Sequence, residues 1–269
     1  MNPRRIFAVF ARQWFLLKSN PTRLTSILVW IFIDIIQWGF ISKYLGTFGK
    51  ANFSFITVIL GAIILLGFMG RIQQGLMMAF LEDVWSQNFI NFFASPLAIR
   101  EYLAGLALSS MVTSLFGFTA MTVVAGAAFG YNVFKIGILL LPFMFILIVF
   151  GVAVGIFVSG VIFRFGTSAE WLAWPIPMVL SIFSGAYYPL STLPDGLRII
   201  ALLLPPAYVF ESLRGILSVG GYTPEIGHNM AAGTALAFAY LFAMYLLFQK
   251  IYRDNLESGG MVKFNAEGI

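Results

Sequence analysis

Apolar residues run through this chain in six long blocks, 24–41, 54–73, 102–126, 136–163, 171–193 and 230–250, separated by shorter polar breaks. Each block is about 18 residues or longer. A helix rising about 1.5 Å per residue needs about that length to cross a hydrocarbon core of about 30 Å. The pattern predicts an all-α polytopic membrane protein, a single transmembrane domain over residues 1–269 with six transmembrane helices.

Shorter periodic stretches lie between the blocks. Phe7, Phe10, Trp14 and Leu17 recur at helical spacing, with Arg5 and Arg12 off that face. Basic residues beside an apolar stripe and a tryptophan describe a helix lying in the membrane interface over residues 1–20. Asn20-Pro21 ends it, because the residue before proline disfavours helix. Over residues 81–95, Leu81, Trp85, Phe89 and Phe92 form an apolar stripe. Glu82, Asp83, Ser86, Gln87 and Asn91 supply a polar side, and Ser95-Pro96 ends the pattern. This predicts a short amphipathic helix facing the cytoplasm, suited either to lipid headgroups or to a docking partner, since aromatics anchor protein interfaces.

After the fifth block, Pro189, Pro194, Pro205 and Pro206 cut residues 187–217 into apolar pieces too short to span. Such pieces fit a re-entrant helical hairpin between spans five and six on the outer side, a candidate extracellular gate. Broken backbone at membrane depth survives only when it is buried in protein or lines a cavity. Gly126 and Gly130, and Gly151 and Gly155, have the spacing of close helix packing.

Composition agrees with the pattern. Hydrophobic residues make up 60% of the chain and charged residues 10%, against about 25% charged in soluble domains. The absence of cysteine excludes disulfides, thiolate metal sites and cysteine nucleophiles. The single histidine, His228, cannot build a multi-histidine metal site. The net charge of +5 reads as a topology signal and not as nucleic-acid binding. With a cytoplasmic N-terminus, eleven of the sixteen Lys and Arg residues fall inside, Arg71 among them near a span end, and five fall outside. Six spans then put both termini in the cytoplasm. No cleavable leader is expected, because Arg4, Arg5, Arg12, Lys18 and Arg23 interrupt the first 23 residues.

Catalytic chemistry is missing from the sequence. A phosphate-cradling loop needs Gly-Lys followed by Ser or Thr, and Gly49-Lys50 is followed by Ala51. Neither a zinc-protease helix nor a serine nucleophile elbow is present. The chain is therefore not expected to be an enzyme or to carry a cofactor. Asp34 is the clearest intramembrane charge, with Gln37 on the same helical side between Trp30 and Trp38. A charge at such depth is costly, so Asp34 either makes an interhelical contact or lines a substrate path. Tyr187, Tyr188, Trp30, Trp38, Trp171 and Trp174 either line a path by stacking or sit in the interfacial aromatic belt. Glu211 and Arg214, three residues apart, have the spacing of a helical ion pair.

Two local signatures go further. One is Phe93-Ala94-Ser95-Pro96-Leu97 followed by Glu101-Tyr102-Leu103-Ala104-Gly105. The other is Phe183 to Pro194, reading FSGAYYPLSTLP, followed by Leu204-Pro205-Pro206 and Glu211-Ser212-Leu213-Arg214-Gly215. With the six blocks and the two amphipathic helices, they make nearly the whole chain resemble the membrane subunits of bacterial type-2 ATP-binding-cassette exporters. Ala186 and the paired Tyr187 and Tyr188 depart from the family's usual aromatics, which bears on the shape of the gate.

The resemblance implies a homodimeric pore in the bacterial cytoplasmic membrane, with two copies of a separate cytoplasmic ATPase that bind ATP and Mg. Residues 81–95 would be the coupling helix, with Glu82, Asp83, Trp85, Phe89, Phe92 and Phe93 meeting the ATPase. Asp34, Gln37, Trp38, Tyr187, Tyr188, Pro189, Glu211 and Arg214 would form the substrate path or gate. The cargo would be amphipathic: a drug, glycolipid, lipo-oligosaccharide or polysaccharide. The chain's other partners would be membrane lipids, with no nucleic acid. Two competing readings are an ion-coupled secondary carrier, which needs mid-membrane ionisable groups and usually a repeat, and a non-transporting membrane assembly factor.

Overall fold

The computed structural model of the protein describes residues 1–47, 55–88, 91–92, 95–219 and 222–258. Their regular structure is helical throughout, with no strand among the described residues. In chain order the helices are α1 (Pro3–Ser19), α2 (Pro21–Gly46), α3 (Phe55–Trp85), α4 (Ile99–Phe129), α5 (Leu140–Phe165), α6 (Glu170–Ala173), α7 (Ile176–Phe183), α8 (Asp195–Leu202), α9 (Pro205–Val219) and α10 (Pro224–Glu257). Five stretches are long and apolar enough to cross a membrane: Leu28–Gly46, Val58–Trp85, Ile99–Phe129, Val133–Phe165 and Pro224–Glu257.

The very apolar α5 forms the centre, with α3 along one side and α10 along the other. Gly151 and Gly155 allow the α3 contact. A Cβ on Gly151 would stand 3.0 Å from the Met69 carbonyl oxygen, and one on Gly155 would stand 3.0 Å from Leu76 Cβ. Between apolar helices in lipid, association rests on this kind of close packing, because lipid tails are as apolar as leucine. Gly126 and Gly130 do something else. Gly130 adopts φ +65° and ends α4, its N–H bonded to the Gly126 carbonyl and the next N–H, of Tyr131, to the Ala125 carbonyl. That left-handed cap suits glycine, and the pair closes a helix and is not a packing seam.

Phe80 of α3, Phe163 of α5 and Phe248 of α10 meet at one end of the bundle, with ring centroids 6.0–6.1 Å apart. Asn255 adds a hydrogen bond to the Phe163 carbonyl at 2.8 Å. α1 packs at the same end, where Gln13 donates to the Ala79 carbonyl. The N-terminal helix and the last turns of α10 therefore share an end of the bundle. Because α5 and α10 both finish there, residues 166–223 must return the chain to the opposite end.

Several expectations need correction. The second apolar block does not stop at residue 73. Its helix runs on to Trp85, because Leu76, Met77, Phe80 and Leu81 continue the buried face beyond the polar Arg71 and Gln73. Arg71 therefore lies midway along α3, not near its end, and leaves the cytoplasmic charge tally. Residues 81–85 belong to this same helix, so the amphipathic stretch 81–95 is not one separate helix. The chain leaves α3 through a turn at Ser86–Asn88, with Gln87 at φ 55°.

The fifth block, 171–193, is also not one helix. Pro175 separates α6 from α7, and α7 ends at Phe183 ahead of Gly185 at φ +72°. A proline ring removes one helical hydrogen bond and crowds the preceding turn, which the apolar run alone does not reveal. Beyond it, α8 and the first part of α9 meet at 100°, a bent pair with the shape of a re-entrant hairpin or a broken span. The interfacial stripe of α1 is also rearranged. Leu17 is buried, but Val9 and Gln13 are its neighbours on the packed side, and Phe7 is 62% exposed.

Candidate functional site

The end of the bundle that carries α1 is held by charge. Asn2 caps α1, its side chain accepting from the Arg4 N–H at 3.0 Å. Its own N–H donates to Glu101 Oε1 at 2.6 Å, at the start of α4. The other oxygen of Glu101 accepts from the Ala98 N–H at 3.1 Å and faces Arg5 at 3.4 Å. Arg5 also donates to the Pro96 carbonyl. Two turns further along α1, Arg12 pairs with Asp83 at 2.5 Å. Asp83 is wholly buried and accepts the Tyr102 hydroxyl proton at 2.7 Å. The Arg12 guanidinium lies over the Phe92 ring at 5.2 Å, and that ring packs on Tyr102 at 5.3 Å.

The result is a latch. Helix α1 is fastened to the last turn of α3 and the first turn of α4, and the 86–98 connection is strung between those two turns. A buried carboxylate needs this degree of pairing, since a lone one would be strongly penalised. Gly105 permits the close approach: its Cβ would stand 2.6 Å from that of Val9.

The expected coupling residues divide around the latch. Asp83 was expected on the cytoplasm-facing side and is enclosed, because Arg12 and Tyr102 neutralise and hydrogen-bond it. Phe92 is half-buried beneath Arg12, and Glu82 is half-buried beside Asp83. Trp85 is 51% exposed, and Ser86, Gln87, Asn91, Ser95 and Pro96 are exposed with it. Phe89 and Phe93 lie outside the described residues. Arg5, Arg12, Glu101 and Tyr102 escaped a reading by apolar period, since their partners are nearly 20 to 100 positions away. The one sequence signal was that Arg5 and Arg12 fall off the apolar face of α1.

Asp34, half-buried on α2, has a partner in Arg71 of α3, to which it is electrostatically coupled. Arg71 runs along Gly117 of α4, where a Cβ would come within 2.8 Å of Arg71 Cδ. Arg71 is thus half-buried between α2 and α4. Gln37 is exposed and takes no part in this contact. Trp38, one turn beyond Asp34, stacks on Tyr187 with ring centroids 4.8 Å apart. Two aromatics expected at a path or gate are therefore in contact, linking α2 to the turn after α7.

That turn is clamped from behind. Glu211 Oε1 accepts the Leu190 N–H at 2.8 Å, and Arg214 donates to the Gly185 carbonyl at 2.8 Å. The two side chains are 3.8 Å apart, so their helical pairing serves mainly to hold the 185–190 backbone onto α9. Pro189 sits inside the clamped stretch, and Tyr188 donates to the Ile182 carbonyl at 2.6 Å. Ser212 of α9 accepts from Asn229 at the start of α10, which ties the bent pair to the bundle.

Over residues 4–218 the chain matches the ABC-2 type transporter family. No curated protein matches it closely enough to stand as a relative. The matched range takes in the latch, the Asp34–Arg71 contact and the clamped hairpin, and stops before α10. With its apolar helices, this chain belongs to the ABC-2 type transporter family and is a multi-pass transmembrane component of an ABC transporter.

Proposed function

We propose that this chain is the pore subunit of an ATP-driven exporter, working as a homodimer with two copies of a separate cytoplasmic ATPase. The latch is the observation that carries this reading. The α1–α3–α4 junction frames a short connection whose exposed residues, Trp85 to Gln87, Asn91, Ser95 and Pro96, are available for docking. Force applied there reaches α1 and two spanning helices together. ATP and Mg belong to the partner, and the chain has no enzymatic role of its own. The latch end faces the cytoplasm of a bacterial cell, with both termini on that side. Residues 166–223 supply the sixth crossing, and within them the clamped pair α8–α9 forms the outer gate. The cargo is an amphipathic drug, glycolipid, lipo-oligosaccharide or polysaccharide.

Co-purification from native membranes tests this reading. A stoichiometric P-loop ATPase in the complex, reduced several-fold by Trp85→Ala combined with Gln87→Ala while the chain stays monodisperse, is the expected result. A partnerless chain that still moves solute against an ion gradient would overturn it.

The Asp34–Arg71 contact favours a second reading, the ion-coupled carrier, which requires ionisable groups at mid-membrane. Transport by the purified chain in vesicles, driven by a proton gradient without nucleotide and abolished by Asp34→Asn, would establish that reading instead.

A further inference from the structure

We infer that a groove between α4, α5 and α10 is a binding site for an anionic phospholipid, with the phosphate at Arg100 and one acyl chain running inward. The groove has a volume of about 420 Å³. Ala104 and Ala107 of α4 form its floor, α5 closes its back, and Phe238, Phe242 and Tyr245 of α10 form the far wall. Small residues opposite large rings make an open, shallow groove. From Arg100 to Ala107 the floor extends about 10 Å along α4, so the groove enters the hydrocarbon region from the latch end.

Arg100 is the one charged residue lining the groove. It is exposed and makes no hydrogen bond or ion pair among the described residues. Its neighbour Glu101 is fully engaged by Asn2, Ala98 and Arg5, so no carboxylate of α4 offsets the charge. Tyr245 supplies a second polar contact. Its hydroxyl accepts from Gln249 Nε2 at 2.6 Å, which leaves the phenolic proton free to donate outward. A cation and a hydroxyl donor at the mouth of an apolar groove match a phosphodiester headgroup with its chain attached. A basic residue at the membrane surface favours anionic over zwitterionic lipid. A soluble anion would gain nothing from the apolar floor, and a neutral lipid nothing from Arg100.

The test is native mass spectrometry of the purified transporter after incubation with vesicles of phosphatidylglycerol and phosphatidylcholine in equal amounts. The wild type is expected to retain phosphatidylglycerol preferentially. Arg100→Gln is expected to lower that preference roughly fivefold, and Arg100→Lys to keep most of it. Ala104→Phe, which fills the groove without altering charge, is expected to lower retention of the same lipid. Monodispersity of each variant by size exclusion separates loss of the site from loss of the fold. Equal retention of the two lipids by the wild type, or an unchanged preference in Arg100→Gln, would overturn the assignment. So would undiminished retention in Ala104→Phe. None of these outcomes depends on whether an ATPase partner is found.

Discussion

The latch end of the bundle and the clamped bent pair α8–α9 solve the same problem with different chemistry. Both hold a connection between helices at a fixed place. At the latch end, side chain meets side chain across 71 to 96 positions, Arg12 with Asp83 and Arg5 with Glu101, and the Asn2 backbone N–H adds to Glu101. At the bent pair, side chains grip backbone: Glu211 holds the Leu190 N–H, and Arg214 holds the Gly185 carbonyl. A buried carboxylate with two partners is an all-or-none contact, because losing one partner strands a charge. Backbone clamps are graded, because water can replace each bond separately. The latch therefore suits a junction that moves as one body, and the hairpin suits an element that opens locally.

Substitutions can break this contrast in order of expected effect. Asp83→Leu removes the hub of the latch and leaves Arg12 and the Tyr102 hydroxyl unpaired. It should cost about 3–5 kcal/mol, read as a large drop in the detergent melting temperature. A drop of only a degree or two would make the latch a surface decoration.

Glu211→Ala frees the Leu190 N–H and loosens Arg214, at about 1–3 kcal/mol. The signature is local: faster hydrogen exchange at residues 185–192 with little change at α1. Glu211→Gln, which keeps an acceptor, should restore much of the protection. Exchange that accelerates over the whole chain would mean that the clamp is part of the global fold.

Gly185→Ala forces a side chain into the left-handed region at φ +72°, with its Cβ 3.1 Å from Leu190 Cδ2. The expected cost is about 1 kcal/mol, again confined to the hairpin.

Trp38→Ala removes the stack on Tyr187, worth about 0.5–1.5 kcal/mol. It should alter transport more than melting temperature if the stack belongs to the gate. Equal, small effects on both would leave it a packing contact.

Much of the architecture was legible because membrane-spanning helices announce themselves by length. The blocks at 102–126, 136–163 and 230–250 lie inside α4, the 133–165 stretch and α10. The break-up of residues 187–217 into short helices was legible as well, since Pro189, Pro194, Pro205 and Pro206 act through the local backbone. Local signals misled where polar residues sit inside a helix. Arg71 and Gln73 looked like a boundary, and only Gly117 and Asp34 on neighbouring helices show how Arg71 is accommodated. The fifth block misled in the opposite way, because a continuous apolar run hid the break at Pro175.

The sequence by itself determined that this protein lives in a membrane, that its helices are apolar, and where prolines and glycines interrupt them. Each of those properties depends on residues within one or two turns of each other. Only the tertiary structure decided that Asp83 faces inward, that Arg12, Tyr102 and Glu101 build a latch, and that Glu211 and Arg214 hold a turn some 21 to 29 positions back. A charge acquires its role from the partner that neutralises it, and in this fold those partners come from other helices.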